Sequence, residues 1–231
     1  MILVDVILRR RVLSSKRGSA SNYDRLSRWY DLLAVRSERK YIDLGLQMLA
    51  VRSGERILEI GFGTGYALLS IARSVGNDGE VYGIDSSRGM LEVARLRLRK
   101  VGLLHRTQLR LGDAVCLSFG DEFFDALFMS FTLELFDANT MPKVLCECHR
   151  VLRNDGRLCI VALSNSGCGV VKRTYEWLHD RFPRYVDCRP IMLDQQLEKG
   201  DFNVVESVEY SLFCLPVRIA LAKKITANEY S

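Results

Sequence analysis

Apolar residues in this chain come in two rhythms that alternate. Short, nearly continuous runs recur at Ile57–Ile60, Val81–Ile84, Thr107–Leu111, Phe123–Ser130 and Arg157–Leu163. Their length and β-prone content predict strands. The segments between them carry apolar residues three and four apart, the spacing of one helix face. Tyr66–Val75 does so with Leu68, Leu69, Ala72 and Val75, and Arg88–Val101, Asn139–Leu152, Val170–Phe182 and Leu193–Lys199 read as further helices. Near the start, Asn22–Leu33 places Tyr23, Leu26, Trp29, Tyr30 and Leu33 on one face, and Ser37 caps a second helix reaching about Ala50. Gly76-Asn77-Asp78-Gly79 and Asn154-Asp155-Gly156 are turns. Phe202–Tyr210 and Leu212–Ala222 close the chain as a hairpin at a sheet edge. The run at Phe123–Ser130 is apolar but for Asp125 and its last residue, as in a parallel strand covered on both faces. The pattern predicts an α/β fold with a seven-stranded, mostly parallel sheet, helices on both faces and a C-terminal antiparallel β-hairpin.

Composition narrows this only a little. At 231 residues and 48% hydrophobic content, one α/β domain with an extension is expected. We divide the chain into a basic N-terminal extension, 1–19, and a domain, 20–231, whose first part, about 20–52, forms a helical cap. Lys and Arg number 33 against 28 Asp and Glu, a mild excess that does not imply nucleic acid. Seven cysteines form no CxxC pair, and several sit in strand-like runs, which suggests reduced thiols in a cytoplasm. The apolar start, Met1–Leu8, is followed by Arg9, Arg10 and Arg11 rather than preceded by charge, so it is not a secretory signal. The extension reads as a solvated arm, with peripheral contact to an anionic membrane as its functional alternative.

The chemistry is concentrated at residues 56–65, Arg-Ile-Leu-Glu-Ile-Gly-Phe-Gly-Thr-Gly. A buried strand runs into a turn with glycines at 61, 63 and 65, then into a helix N-terminus. Such a turn lets backbone N–H groups approach a small polar ligand. Three readings are open for it: a turn that is merely glycine-rich, a dinucleotide site, or a site for another adenosyl cofactor. The dinucleotide fingerprint would need its third glycine at position 66, which is Tyr66. Asp85 ends the next strand about 20 residues past the glycines, the offset at which a carboxylate meets a ribose. Asp113-Ala114 follows the third strand, Ser130 the fourth. His149-Arg150-Val151-Leu152-Arg153-Asn154-Asp155-Gly156-Arg157-Leu158 spans the join into the fifth.

These segments, in this order, resemble class I S-adenosylmethionine (SAM) dependent methyltransferases, a Rossmann-like family. The Glu-x-Gly-x-Gly-x-Gly run matches the family's first motif. The Arg-Val-Leu segment and the Tyr-Asp-Arg-Leu…Tyr-Asp entry helix are similar to the type 11 branch and to the ubiquinone/menaquinone C-methyltransferase-like group. Asn-Asp stands where the family's segment usually has Pro-Gly. The resemblance implies SAM as cofactor and S-adenosylhomocysteine as product. By position, Gly61, Gly63 and Gly65 would wrap the methionine end, with Glu59 near its amino group. Asp85 and the adjacent Ser86 would hold the ribose, and Asp113 and Ala114 the adenine. Ser130 would line the path to the sulfonium, and Tyr23 and Tyr30 would close over the site.

The acceptor is a small molecule on this reading: carbon or oxygen of a quinone, phenol or lipid-like compound, or alternatively the nitrogen of a small amine or phospholipid headgroup. RNA or protein methylation is disfavoured because no nucleic-acid module or Asn-Pro-Pro-Tyr loop is present, although Arg95, Arg97, Arg99 and Lys100 make one side of the 88–101 helix basic. A base is needed only if the acceptor loses a proton; the candidates are Glu134, His179 and Asp187. Cys146, Cys148 and His149 do not form a metal site, because Cys148 should point away from the other two on a helix.

Overall fold

The computed structural model describes residues 38–165, 190–212 and 215–225. Helix α1 is described over 38–49. It is followed by β1 (Arg56–Ile60), α2 (Tyr66–Ser74), β2 (Glu80–Asp85), α3 (Arg88–Lys100), β3 (Thr107–Leu111), β4 (Phe124–Ser130), α4 (Met141–Val151), β5 (Leu152–Leu163), α5 (Leu193–Lys199), β6 (Phe202–Leu212) and β7 (Leu215–Lys224). The seven strands form one sheet in the order β3-β2-β1-β4-β5-β7-β6. The first five are mutually parallel, and β7 runs antiparallel to both β5 and β6.

The expected elements form because each buries one face. Ile57, Leu58 and Ile60 of β1 are at most 1% exposed, since helices and loops cover the sheet on both sides. On one side α1, α2 and α3 pack through Tyr41, Ile42, Leu49, Leu68, Ile71, Leu91, Ala94 and Leu98. On the other, α4 and α5 pack through Val144, Leu145, Cys148, Leu193 and Leu197. Helix α3 shows how local sequence sets the ends. The Ser87 side chain accepts from Met90 N–H at its start. At its end Gly102 takes φ 72°, and the Leu103 and Gly102 N–H groups donate to Leu98 and Arg99 carbonyls. That is a Schellman ending, which satisfies otherwise orphaned carbonyls. Gly45 of α1 allows close approach, since a Cβ there would lie 2.6 Å from Val161 of β5.

Two expectations change. Asn154-Asp155-Gly156 does not open a new strand, because β5 already begins at Leu152. Phe124 pairs with Leu152 and Ala126 with Arg157, so the turn residues form an excursion within one strand. In the hairpin β7 is the inner strand and β6 the edge. Arg97 does not share the solvated face of α3: it is half-buried and its guanidinium turns back to donate to Thr64 Oγ1 at 3.1 Å. Cys148 is buried and Cys146 exposed, so the two thiols face apart on α4. The expected helices at 22–33 and 170–182, the residues Tyr23, Tyr30, Ser37, His179 and Asp187, and the extension 1–19 lie outside the described residues.

Candidate active site

From β1 the chain proceeds outward through β2 to β3, then returns to β4 and β5 on the other side. The sheet's switch point therefore lies between the carboxyl ends of β1 and β4, where ligands bind in open α/β sheets. A cleft lies there, lined by Glu59, Gly61, Phe62, Thr64, Tyr66 and Ala67, by Ser130 and Phe131, and by Glu38, Arg39 and Ile42 of α1.

The turn is built as its glycines require. Gly61, Gly63 and Gly65 take φ of 73°, 50° and 74°, the left-handed region that side chains disfavour. At Gly61 space is also needed, since a Cβ would lie 2.3 Å from Thr132 Oγ1. Thr132, which follows β4, donates to the Ser130 carbonyl at 2.9 Å. Phe131 between them holds φ 49°, a strained value for a bulky residue at the wall of a cleft.

The acids at the strand ends are held in two different ways. Asp85 accepts from Gly63 N–H through Oδ2 and from Ser87 N–H through Oδ1, both at 2.8 Å. Each oxygen keeps a second lone pair. Its carbonyl accepts from Gly112 N–H at 3.1 Å, which brings the end of β3, and thus Asp113 and Ala114, beside it. Ala114 is buried, whereas the Asp113 carboxylate is exposed and accepts from Val115 N–H. Ser86 is exposed. Glu59 is only 1% exposed, and its Oε2 has no hydrogen-bond partner. Burial, then the Asp85 charge, pushes its carboxyl well above the usual carboxylate range, against a hydrogen bond from Leu68 N–H.

The structure brings Glu59, Gly61 and Ser130 to one cleft, with Gly63 and Gly65 in the same turn and Asp85, Ser86, Asp113 and Ala114 on adjoining strand ends. Glu134 is elsewhere: it is buried, and its Oε1 accepts from Leu163 N–H at 3.2 Å. It joins the loop after β4 to the end of β5 and does not line the cleft. Sequence reasoning missed Arg39, Thr64, Tyr66, Arg97 and Phe131. Tyr66 had a signal, as the residue directly after the third glycine. Arg39 had none, because it lies on a separate helix.

A family model described as “Methyltransferase domain” matches residues 57–156, from β1 into β5. Residues 57–156 are thus similar to a methyltransferase domain. The chain is 29% identical over 166 residues to the demethylmenaquinone methyltransferase of Lactobacillus johnsonii, covering 72% of this chain and 66% of that one. It is 30% identical over 166 residues to the ubiquinone/menaquinone biosynthesis C-methyltransferase UbiE of Teredinibacter turnerae, covering 72% and 65%. It therefore spans just under two thirds of the length of these relatives. The YcgJ protein of Bacillus subtilis shares the fold with a TM-score of 0.67 and 18% identity, covering 82% of this chain and all of that one.

Proposed function

We propose that this protein transfers the methyl group of SAM to carbon or oxygen of a quinone, phenol or lipid-like small molecule. The observation that carries the cofactor is Glu59. A buried carboxylate with one unpartnered oxygen, beside an open glycine turn, is a seat for a cation. The α-ammonium of SAM is such a cation. Asp85, held by two backbone donors, keeps lone pairs for a vicinal diol such as ribose. Asp113 would accept from the adenine amine and Ala114 N–H would donate to a ring nitrogen. These residues fit the cofactor.

Bound SAM supplies a sulfonium that makes its methyl electrophilic, so no covalent enzyme intermediate is needed. The chain's task is alignment and exclusion of water. Glu59 would hold the methionine end of the cofactor and Asp85 its ribose, while Phe62, Phe131 and Ile42 wall the cleft with apolar surface. Holding reactants in line is worth roughly 7–11 kcal/mol. The C-methyltransferase name of the Teredinibacter turnerae relative favours carbon of a quinone-type ring as acceptor. Free, buried Cys148 and Cys159 accord with a reducing, cytoplasmic setting. For a membrane-borne acceptor, the cluster Arg9, Arg10, Arg11, Lys16 and Arg17 is suited to anionic lipid.

Calorimetric titration with SAM and S-adenosylhomocysteine tests the cofactor; saturable micromolar binding of both is expected, and binding of neither overturns the proposal. Incubation with SAM and a panel of quinols, phenols and amines tests the acceptor. A C- or O-methylated quinol or phenol is expected; methylation of amines alone would overturn the acceptor class and leave the cofactor standing.

A further inference from the structure

Residues 88–111, which form α3, its Schellman ending and the edge strand β3, concentrate one kind of surface. They hold seven of the chain's 33 Lys and Arg but one of its 28 Asp and Glu, Glu92. Outside this stretch and the extension 1–19, acids outnumber Lys and Arg, 26 to 21. Among the described residues none of the seven cations is paired with a carboxylate. Arg95 donates to the Leu109 carbonyl, Arg97 to Thr64 and Arg106 to the Gly76 carbonyl. Elsewhere Arg150, Arg153, Arg157, Arg218 and Lys224 each meet an acid. The same stretch carries four of the seven large apolar side chains that stand exposed among the described residues. These are Val93, Leu96, Val101 and Leu111, 41–51% exposed.

The positions are ordered. Val93, Leu96 and Lys100 follow one another at three and four residues, on one outward face of α3. Arg88, Arg95 and Arg99, at seven and four, make a second exposed row turned toward β3, where Arg95 meets Leu109. Side chains alternate along a strand, so Leu111 lies on the α3 side of the sheet with Leu109, which packs among Leu91, Ala94 and Leu98. The result is aliphatic surface rimmed by cations that no acid neutralises.

We infer that this edge of the molecule, α3 with β3, is a docking surface for an anionic lipid bilayer. Aliphatic side chains enter the boundary between headgroups and acyl chains, while long cationic side chains beside them stay at the lipid phosphates. The acid excess of the rest of the domain turns the other faces away from a negative surface, so the charge also sets the orientation. A second copy of the chain fits this face less well, because two basic surfaces repel. RNA fits less well too. Residues 88–111 contain no Phe, Tyr or Trp on which a base could stack, and exposed aliphatic side chains gain nothing from a phosphate backbone. Helix α3 also backs the glycine turn, since a Cβ on Gly65 would lie 2.9 Å from that of Ala94. Docking would hold the turn roughly one helix diameter, about 10 Å, from the bilayer. The inference goes beyond the methyl-transfer reading and does not depend on it.

The test is co-sedimentation of the full-length chain with vesicles of phosphatidylcholine alone and of equimolar phosphatidylcholine and phosphatidylglycerol. Binding to the mixed vesicles only, weakening as salt rises, is expected. Arg99→Gln with Lys100→Gln should weaken it about 30-fold, the scale for two cations at an anionic surface. Leu96→Ser should weaken it about 10-fold and keep the salt dependence. Leu96→Trp, which enlarges the apolar contact, should bind at least as tightly and shift its emission to the blue on the mixed vesicles. No binding to the mixed vesicles at low salt would overturn the inference. So would unchanged affinity in the double variant or in Leu96→Ser. A loss confined to Arg9→Gln with Arg10→Gln and Arg11→Gln would assign the contact to the extension and overturn it as well. Tighter binding of a uridine oligonucleotide than of vesicles, lost in the double variant and untouched by Leu96→Ser, would make the face a nucleic-acid surface instead. Titration of the same variants with S-adenosylhomocysteine reads the cofactor separately, so failure of the docking surface leaves that reading standing.

Discussion

At Glu59, stability and binding pull in opposite directions. A carboxyl whose folded-state pKa is raised costs stability once the unfolded chain ionises. Below the ordinary carboxylate range it is protonated in both states, and the cost is absent. As pH rises past the unfolded value, stability falls until the folded carboxyl also ionises, and the cost is constant above that. Glu59→Gln mimics the protonated form. It should therefore raise stability at neutral pH by about 1–3 kcal/mol, the scale of an unsatisfied buried polar group. Denaturant unfolding at several pH values checks this, and the gain should vanish below pH about 4. The same variant should bind S-adenosylhomocysteine about 10- to 100-fold more weakly. Gly61→Ala combines a left-handed φ with a clash against Thr132. It should lower both stability and cofactor affinity, seen as a reduced Tm and an increased Kd.

Among the elements, the stretch from Asp113 to Phe123 has no helix or strand of its own, yet it begins with Asp113 and Ala114, the residues proposed to hold the adenine. Arg150 of α4 holds it. Nε and Nη2 donate to Glu147, Nη1 to the Phe119 carbonyl and Asp121, and Nη2 also to the Leu117 carbonyl, at 2.7–2.8 Å. Glu147 in turn accepts from Leu117 N–H. Below this lock Tyr82, Phe119, Phe123 and Phe124 pack edge to face. This is the physical role of the arginine in the Arg-Val-Leu segment, which the sequence marked only by resemblance. Arg150→Met should cost about 1.5–3 kcal/mol, measured by chemical denaturation. It should also weaken 5′-methylthioadenosine, which contacts the adenosine side alone. A stability loss with no change in that affinity would mean the loop keeps its shape without Arg150.

For the whole molecule, the cleft draws on β1, β4, α1 and the start of α2, so a ligand filling it binds only the folded chain. At about 100 times its Kd, S-adenosylhomocysteine should add about 2.7 kcal/mol to stability. For a chain of this size that is a Tm increase of roughly 5–10 °C, readable by thermal denaturation. The increase should shrink in Glu59→Gln at the same ligand concentration. Arg157 joins the two sides of the chain that form the cleft. From β5 it donates to the Leu49 and Ala50 carbonyls at the end of α1 and pairs with Glu55 before β1. Helix α1, and Arg39 with it, is therefore seated on the sheet from its far end.

Local order along the chain was sufficient to determine the alternation of strands and helices, the glycine turn and the acids at the strand ends. Each depends on period, on φ, or on neighbours within a few residues. The matching residues Glu59, Gly61, Gly63, Gly65 and Asp85 are legible for that reason. Tertiary structure alone decided the rest. The order β5-β7-β6 depends on which edge the last two strands join, and hydrophobic period is blind to that. That Glu134 braces Leu163 rather than faces the cleft depends on where a loop after β4 meets the end of β5. The approach of Arg39 and Arg97 to the glycine turn unites residues from α1 and α3 only once the sheet has brought those helices onto one face. An arginine on a helix surface reads the same in sequence whether it faces water or a cofactor; only packing distinguishes the two.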